Sequence, residues 1–300
     1  MTDRIDDLEI FANRIRMGCL DMALSSGKEG CHVGGGFSCI EIFAVLFGSI
    51  LRVDAKNPTD ENRDRFIASK AHCILPHFTT LALKGFVDFS KLLSFHDDAG
   101  FFAGHPWRVE SGLEFSGGSL GMGLSLGIGM ALAAKRREMS YKTYVLLGDG
   151  ESDEGAVWEA FMSAAHFKLD NLVAIVDYNN MQFDGPCSEI MGMEPLDRRI
   201  QSFGWETRRV NGHDITALLD AFETPHPEKP LAIVAETVKA RGIPGLENKA
   251  ESHHAALTQE MADAVVADME GGRYGRFYST QFQDVVDDGD QPMHLEYCVS

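Results

Sequence analysis

Residues 143–180 read TYVLLGDGESDEGAVWEAFMSAAHFKLDNLVAIVDYNN. Two apolar runs, TYVLLGDG (Thr143–Gly150) and LVAIVDYN (Leu172–Asn179), enclose a helical pattern from about Asp153 to Phe167. Runs of Val, Leu and Ile without polar alternation suit strands covered on both faces, and parallel strands need a crossover such as this helix. The alternation continues downstream with WETRRV (Trp205–Val210), a helix from Ile215 to Phe222, and LAIVAETV (Leu231–Val238). Upstream, FIASKAH (Phe66–His72) reads as a short strand ending in a polar turn, and residues 54–65 read as a surface loop. SGGSLGMGLSLGIGMALAAKRR (Ser116–Arg137) reads as a glycine- and alanine-rich helix able to pack closely, as at a subunit interface. The N-terminal segment from Asp6 to Ser25 places Leu8, Phe11, Ile15, Cys19 and Ala23 at helical spacing. A glycine-rich loop, Gly27–Ser38, joins it to the apolar helix IEIFAVLFGSIL. The expected class is α/β, a parallel sheet with helices on both faces.

The 300 residues are 44% hydrophobic, enough for one large core, and no apolar stretch reaches membrane-spanning length. The charged, amphipathic N-terminus lacks the apolar core of a signal peptide, so a cytoplasmic location is expected. The six cysteines have no CxxC or zinc-type spacing and read as free thiols. A net charge of −18 argues against nucleic-acid binding. It does not exclude a small anionic ligand, because a local site can oppose the global charge.

Ligands of open parallel sheets sit beyond the carboxyl ends of the strands. The sheet therefore brings Asp149, after one strand, beside Asn179, after the next. A carboxylate, an amide oxygen and a backbone carbonyl are hard ligands suited to Mg2+ or Ca2+. Mg2+ commonly keeps positions open for phosphate oxygens, so the arrangement points to a metal-bridged diphosphate, with Gly148 and Gly150 letting the backbone approach it. Gly-Asp-Gly alone is also an ordinary strand-to-helix turn; its distance from DYNN carries the stronger reading.

GDG followed about 30 residues later by NN resembles the thiamine diphosphate fingerprint, and the surroundings resemble the N-terminal domain of transketolases. The resemblance implies the thiamine diphosphate-binding fold, with Asp149, the Asn179 side chain and the Met181 carbonyl as metal ligands and Gly150 against the diphosphate. GCHVGGG resembles the family's SGHPG and aligns His32; SKAH resembles SKGH and aligns His72; GHP aligns His105; LENKAESHH resembles MEN…WHG and aligns His253. These four histidines are implied to line the cofactor and the substrate channel. SGGSLGMGLS resembles GSLGQGLS and aligns Gly118 and Leu120 with cofactor contacts. Glu154 and Glu159 suit the positive end of a helix dipole; the resemblance also implies a glutamate network across a dimer interface. His213 and His254, with the other histidines, read as structural or surface residues.

In this family a carboxylate from a second, pyrimidine-binding domain contacts N1′ of the cofactor, and single-chain members are about twice as long. The resemblance thus implies domain organisation of 1–270 as the diphosphate-binding domain and 271–300 as a tail or partner-contacting extension. It also implies a two-component enzyme, an α2β2 assembly in which another chain supplies the pyrimidine-binding domain and its glutamate. Ketol transfer between ketose and aldose substrates, or acyloin formation, is the implied activity, with no membrane or nucleic-acid partner. Ala71, Ser252 and Ala240 depart from the family motifs, and Lys28-Glu29 makes an unusual loop; these changes are expected at the substrate entrance. Two alternatives share parts of the pattern. The α subunit of a 2-oxo acid dehydrogenase also carries GDG…NN, and Gly121-x-Gly123…Gly127 approaches a dinucleotide fingerprint but follows no clear strand.

Overall fold

The computed structural model describes residues 2–95, 113–114 and 116–277. His105 and the extension beyond residue 277 lie outside the described residues. The chain folds as α1 (Thr2–Ser25), α2 (Val33–Phe37), α3 (Ile40–Val45), β1 (Arg65–Ala68), α4 (Ile74–Leu83), α5 (Gly123–Arg136), β2 (Thr143–Gly148) and α6 (Gly155–His166). There follow β3 (Leu172–Tyr178), α7 (Cys187–Ile190), α8 (Leu196–Ser202), β4 (Glu206–Asn211), α9 (Ile215–Glu223), β5 (Leu231–Glu236) and α10 (Gln259–Glu270). The five strands form one sheet in the order β1-β2-β3-β5-β4, all parallel.

Strand alternation divides the core into two layers. Tyr144, Leu146, Val173, Ile175, Leu231 and Ile233 face α1, α3, α4, α9 and α10. Their sequence neighbours Val145, Leu147, Ala174, Val176, Ala232 and Val234 face α5, α6 and α8. Both faces are dry, which is why β2, β3 and β5 carry almost no polar residues.

Several boundaries differ from the sequence expectation for local reasons. The helix expected from Ser116 begins at Gly123, because Gly118 and Gly121 take φ of 153° and 80°, outside the helical region. The segment Gly27–Ser38 is not all loop but contains a 3-10 turn and α2. Helix α4, ILPHFTTLAL, was not expected: nine of its ten residues are buried, so it shows little amphipathic periodicity. Helix α10 was also unanticipated; Thr258 caps it by accepting from the Met261 amide. The residues just beyond α10 pack back on α1, where the Asn13 amide donates to the carbonyls of Tyr274 and Arg276 at 3.2 and 2.9 Å.

Candidate functional site

The carboxyl ends of four neighbouring strands deliver the charged groups of the site. β1 leads to Ser69 and Lys70, β2 to Asp149, β3 to Asn179 and Met181, and β5 to Lys239. All of these but Ser69 line a cavity of about 210 Å³, whose wall also includes Gly35, His72, Leu120, Glu151, Phe183 and His253.

Asp149 is only 7% exposed. Its two oxygens accept from the backbone amides of Gly150 (2.8 Å) and Asn180 (2.5 Å), which tie the end of β2 to the turn after β3. Asn180 makes that turn at φ 58°, a left-handed conformation that asparagine tolerates better than most residues. Burial, helped by the nearby Asp177 charge, pushes the Asp149 carboxyl up to about 6. The Asn179 side-chain oxygen accepts from the Met181 amide at 3.1 Å and lines the same cavity. Asp149, Asn179 and Met181 thus line one cavity at the ends of adjacent strands, offering a carboxylate, an amide and a backbone carbonyl as candidate hard-oxygen donors. That set fits a divalent cation, and the raised carboxyl is a buried acid that a cation would hold ionised. Among the described residues no cluster of three His, Cys, Asp or Glu side chains has metal-binding geometry, as expected for a site with a single carboxylate.

Around these oxygens lies a cationic wall. Lys70 is buried against Asp177 and donates to the Gly35 carbonyl at 2.9 Å. Asp177 also accepts from the hydroxyls of Ser38 and Thr237. Burial works to raise the Asp177 carboxyl, but Lys70 and the two hydroxyls outweigh it and hold it below the usual range. Lys239 donates to the carbonyls of Met181 (3.0 Å) and Gln182 (2.9 Å) and lies 3.4 Å from His253 Nδ1. Burial and then Lys70 lower this ammonium to about 8.

His32, His72 and His253 form one cluster: His32 lies 6.0 Å from His72 and 5.5 Å from His253, and His72 lies 5.2 Å from His253, centroid to centroid. Gly35 is required here, since a Cβ would meet the His72 ring at 2.4 Å. Burial, then Lys70, holds His72 well below its ordinary range; burial, then Lys239, lowers His253 to about 4. Both are therefore neutral imidazoles at pH 7, hydrogen-bonding groups rather than fixed charges.

Of the other residues named from sequence, Leu120, Gly148 and Gly150 line the cavity, whereas Gly118 does not. Glu154 and Glu159 are exposed, and Glu154 makes no side-chain capping bond at α6. The carboxylate that turns inward is Glu151, which accepts from the amides of Gly121 (2.8 Å) and Gly148 (3.0 Å) and from Ser69. Sequence reasoning missed Lys70, Glu151, Phe183 and Lys239 as site residues; their signal was position, Lys70 within SKAH, Glu151 and Phe183 close after GDG and NN, and Lys239 opening the turn Lys239-Ala240-Arg241-Gly242. It also left His254 aside, yet its ring stands edge-on to His32 at 5.0 Å. His213 is structural as expected, bridging Glu41 (2.9 Å) and the Val238 amide (2.9 Å).

The motif departures expected at the entrance fall largely elsewhere. Ala71, Ala240 and Ser252 are 1%, 0% and 0% exposed, so they are packing changes. Ser252 donates to the Lys249 carbonyl at 2.6 Å, and its backbone lies so close to Gly34 that a Cβ there would meet the Ser252 carbonyl oxygen at 2.6 Å. Only Lys28 and Glu29 are exposed.

This doubly covered parallel sheet, with its ligand cavity at the strand ends, is a thiamine diphosphate-binding domain. Residues 8–279 match the family model described as the thiamine diphosphate binding domain of transketolase, and the chain belongs to the transketolase family. It is 35% identical over 268 residues to one subunit of the apulose-4-phosphate transketolase of Phocaeicola vulgatus, covering 89% of this chain and 95% of that one. It is 38% identical over 274 residues to the 6-deoxy-6-sulfo-D-fructose transketolase subunit SqwG of a Clostridium species, covering 90% and 98%. The solved transketolase of Campylobacter jejuni superposes with a TM-score of 0.82 at 32% identity over 88% of this chain, but over only 43% of that longer chain. Human transketolase shows the same proportion, 35% identity over 42% of its length.

Proposed function

We propose that this chain is the diphosphate- and metal-binding subunit of a two-component transketolase that moves a two-carbon ketol unit from a ketose to an aldose. The observation that carries this reading is the meeting of Asp149, Asn179 and the Met181 carbonyl in one cavity beside Lys70, Lys239, His72 and His253. These three oxygens would hold Mg2+ (or Ca2+) together with the diphosphate of thiamine diphosphate; Gly148 and Gly150 would let the backbone approach the diphosphate, and Leu120 and Phe183 line the same cavity with apolar surface. Bound there, the cofactor supplies the carbanion equivalent that cleaves and forms carbon–carbon bonds.

The chain's own groups bind and orient. Lys70 and Lys239 set a positive potential over the diphosphate in a protein of net charge −18. His72 and His253, held neutral, and His32 beside them offer imidazoles that hydrogen-bond substrate hydroxyls, and we assign His105, outside the described residues, to the same channel. Glu154 and Glu159, exposed on this chain, take part in contacts with a neighbouring protomer.

The pyrimidine end of the cofactor needs a carboxylate at N1′, and a second subunit supplies it in an α2β2 assembly. Support comes from the two relatives named as subunits, which the alignment covers almost completely, against 42% of whole human transketolase. The same two relatives act on ketoses whose names carry a phosphate or a sulfo group, so a ketose with an anionic end is the substrate class we assign. The net charge of −18 argues against nucleic acid as a partner, while the local lysines leave room for a small anionic substrate. Among the described residues no helix is long and apolar enough to cross a membrane, and five free cysteines lie buried, which supports a reducing, cytoplasmic setting. The 2-oxo acid dehydrogenase alternative is not favoured.

Calorimetric titration of thiamine diphosphate with Mg2+ tests the site. Binding to the wild type should be abolished or weakened by at least about a hundredfold in Asp149→Asn; binding indifferent to the substitution refutes it. Ketol transfer should appear only when the partner chain is added, and robust turnover by this chain alone would remove the two-component reading.

A further inference from the structure

A second cavity, of about 330 Å³, shares no lining residue with the first, although one turn serves both: Lys239 lines the strand-end cavity and Arg241 lines this one. Its wall comes from α1, α3, the start of α9 and the residues just after α10. We infer that it binds a small oxyanion, the phosphate of an ester or a carboxylate, between the Arg241 guanidinium and the first turn of α9. The inference is independent of the cofactor site proposed above.

The first support is an unpaired cation. Arg241 is half-buried, and its guanidinium makes neither a hydrogen bond nor an ion pair with any described residue. The other charged groups of the wall are engaged. Glu41 is shared by Arg16 at 2.6 Å and His213 at 2.9 Å, Arg273 pairs with Glu247 and Asp268, and Glu9 accepts from the Arg276 amide at 2.9 Å. Glu41 could turn to Arg241 only by giving up buried partners, which is costly. Three guanidinium groups also gather on one ring: those of Arg16, Arg273 and Arg241 lie 4.0, 5.5 and 5.7 Å from the centre of Tyr274. Burial lowers the Arg241 guanidinium from its ordinary value; Glu41 opposes that, while Arg16 and Arg273 add to it. An anion against Arg241 relieves both the burial and the crowding of like charge.

The second support is backbone. The first amides of a helix have no acceptor within it. At α9, the Asp214 side chain accepts from Ala217 at 3.0 Å and its carbonyl from Leu218 at 2.9 Å. The amides of Ile215 and Thr216 bond to no described residue, and both residues line the cavity with Arg241. Two unused donors at the positive end of a helix, with a planar guanidinium beside them, suit a carboxylate or a phosphate. The volume lies at the small end of metabolite sites, about 300–1,000 Å³. The charges of Glu9, Glu41 and Asp214 in the same wall restrict the ligand to one with a single oxyanion group and disfavour a polyanion.

Calorimetric titration of the full chain at fixed ionic strength, with inorganic phosphate and separately with malonate, tests this. At least one of the two should bind, and which one does distinguishes a phosphate ester from a carboxylate. Arg241→Gln should weaken binding at least about tenfold, as expected on losing hydrogen bonds to a charged group. Arg241→Lys, which keeps the charge but not the bidentate geometry, should weaken it less. Thr216→Glu sets a carboxylate on the first turn of α9 and should weaken binding by about tenfold with Arg241 intact. Thr216 is exposed, so this variant keeps the test open if Arg241→Gln fails to fold. Lys239→Gln, in the other cavity, should leave binding within about twofold. Binding of neither anion up to about 10 mM, or binding unchanged in both Arg241→Gln and Thr216→Glu, overturns the site. Binding lost in Lys239→Gln but kept in Arg241→Gln also overturns it and assigns the anion to the strand-end cavity.

Discussion

Lys70→Met should be among the most damaging single changes in this chain, although it removes one side chain from the edge of a cavity. The Lys70 and Asp177 side chains are 1% and 0% exposed and form an ion pair beneath the site. Removing the cation leaves Asp177 with the hydroxyls of Ser38 and Thr237 as its donors, and leaves the Gly35 carbonyl without the 2.9 Å bond from Nζ. Breaking one partner of a buried pair costs about 3–5 kcal/mol, most of it the uncompensated charge. Lys70→Met with Asp177→Asn removes that charge, keeps an acceptor for one of the two hydroxyls and offers an NH2 donor to the other, and should recover at least about 2 kcal/mol of the loss.

Urea unfolding at fixed protein concentration, followed by the fluorescence of the buried Trp205, reads both variants. With a slope of about 3 kcal/mol/M, the single change should lower the midpoint by about 1 M or more. The double variant should sit between it and the wild type. A single-variant cost under about 1 kcal/mol, or a double variant as unstable as the sum of the singles, refutes the argument. A functional readout accompanies it: Lys70 is one of the influences lowering the Asp149 carboxyl, so its loss should move the acid limb of metal binding to higher pH.

Three further outcomes are expected. Asp149, raised to about 6, must be ionised to hold a metal, so affinity for Mg2+ is fully present above about pH 7 and should fall about tenfold by pH 5, measured by calorimetry; a flat profile between pH 7 and 5 contradicts the assignment. His77 is buried among Phe43, Phe47, Phe66 and Phe78 with both ring nitrogens unpaired, and burial lowers it to about 3. The unfolded chain therefore takes up a proton near pH 6.5 that the fold refuses, costing the fold about 2 kcal/mol at pH 5 relative to pH 8; His77→Leu should abolish that acid loss in urea midpoints. Ala240 sits at φ 53° with its methyl fully buried, so Ala240→Gly relieves about 1 kcal/mol of left-handed strain and forfeits a similar amount of apolar burial. Its stability should lie within about 0.5 kcal/mol of wild type, and a shift beyond about 2 kcal/mol in either direction would refute that balance.

The sheet was legible because β2, β3 and β5 are buried on both sides and their sequences have almost no choice but to be apolar. The same property hid α4, since a helix buried all round loses the periodicity that identifies helices. The meeting of Asp149 and Asn179, the proposed metal ligands, was legible because both follow adjacent strand ends, a relation that sequence spacing encodes. Lys70 and Lys239 were not, because a lysine in a polar turn looks the same in sequence whether it faces water or a buried carboxylate. The register of β1 against β2, and of β3 against β5, decides that question.

The burial of Ala71, Ala240 and Ser252 changes where substrate choice must be sought. A residue sealed from the cavity can alter packing beneath it but cannot touch a sugar. The groups that can are those on the lip: Phe183, 63% exposed and edge-on to His253 at 5.0 Å, and the exposed His254 beside His32. Both rings pack on the histidine cluster, the part of the site that meets substrate hydroxyls in the proposed reaction. An apolar ring and an extra imidazole there narrow the entrance without touching the Asp149 carboxylate. In the proposed reaction Asp149, Asn179 and the two lysines serve the cofactor, while the lip is free to differ between ketoses. Exchange of His254 should accordingly shift KM between substrates and leave thiamine diphosphate affinity within about twofold, whereas exchange of Phe183, which also lines the cofactor cavity, should move both.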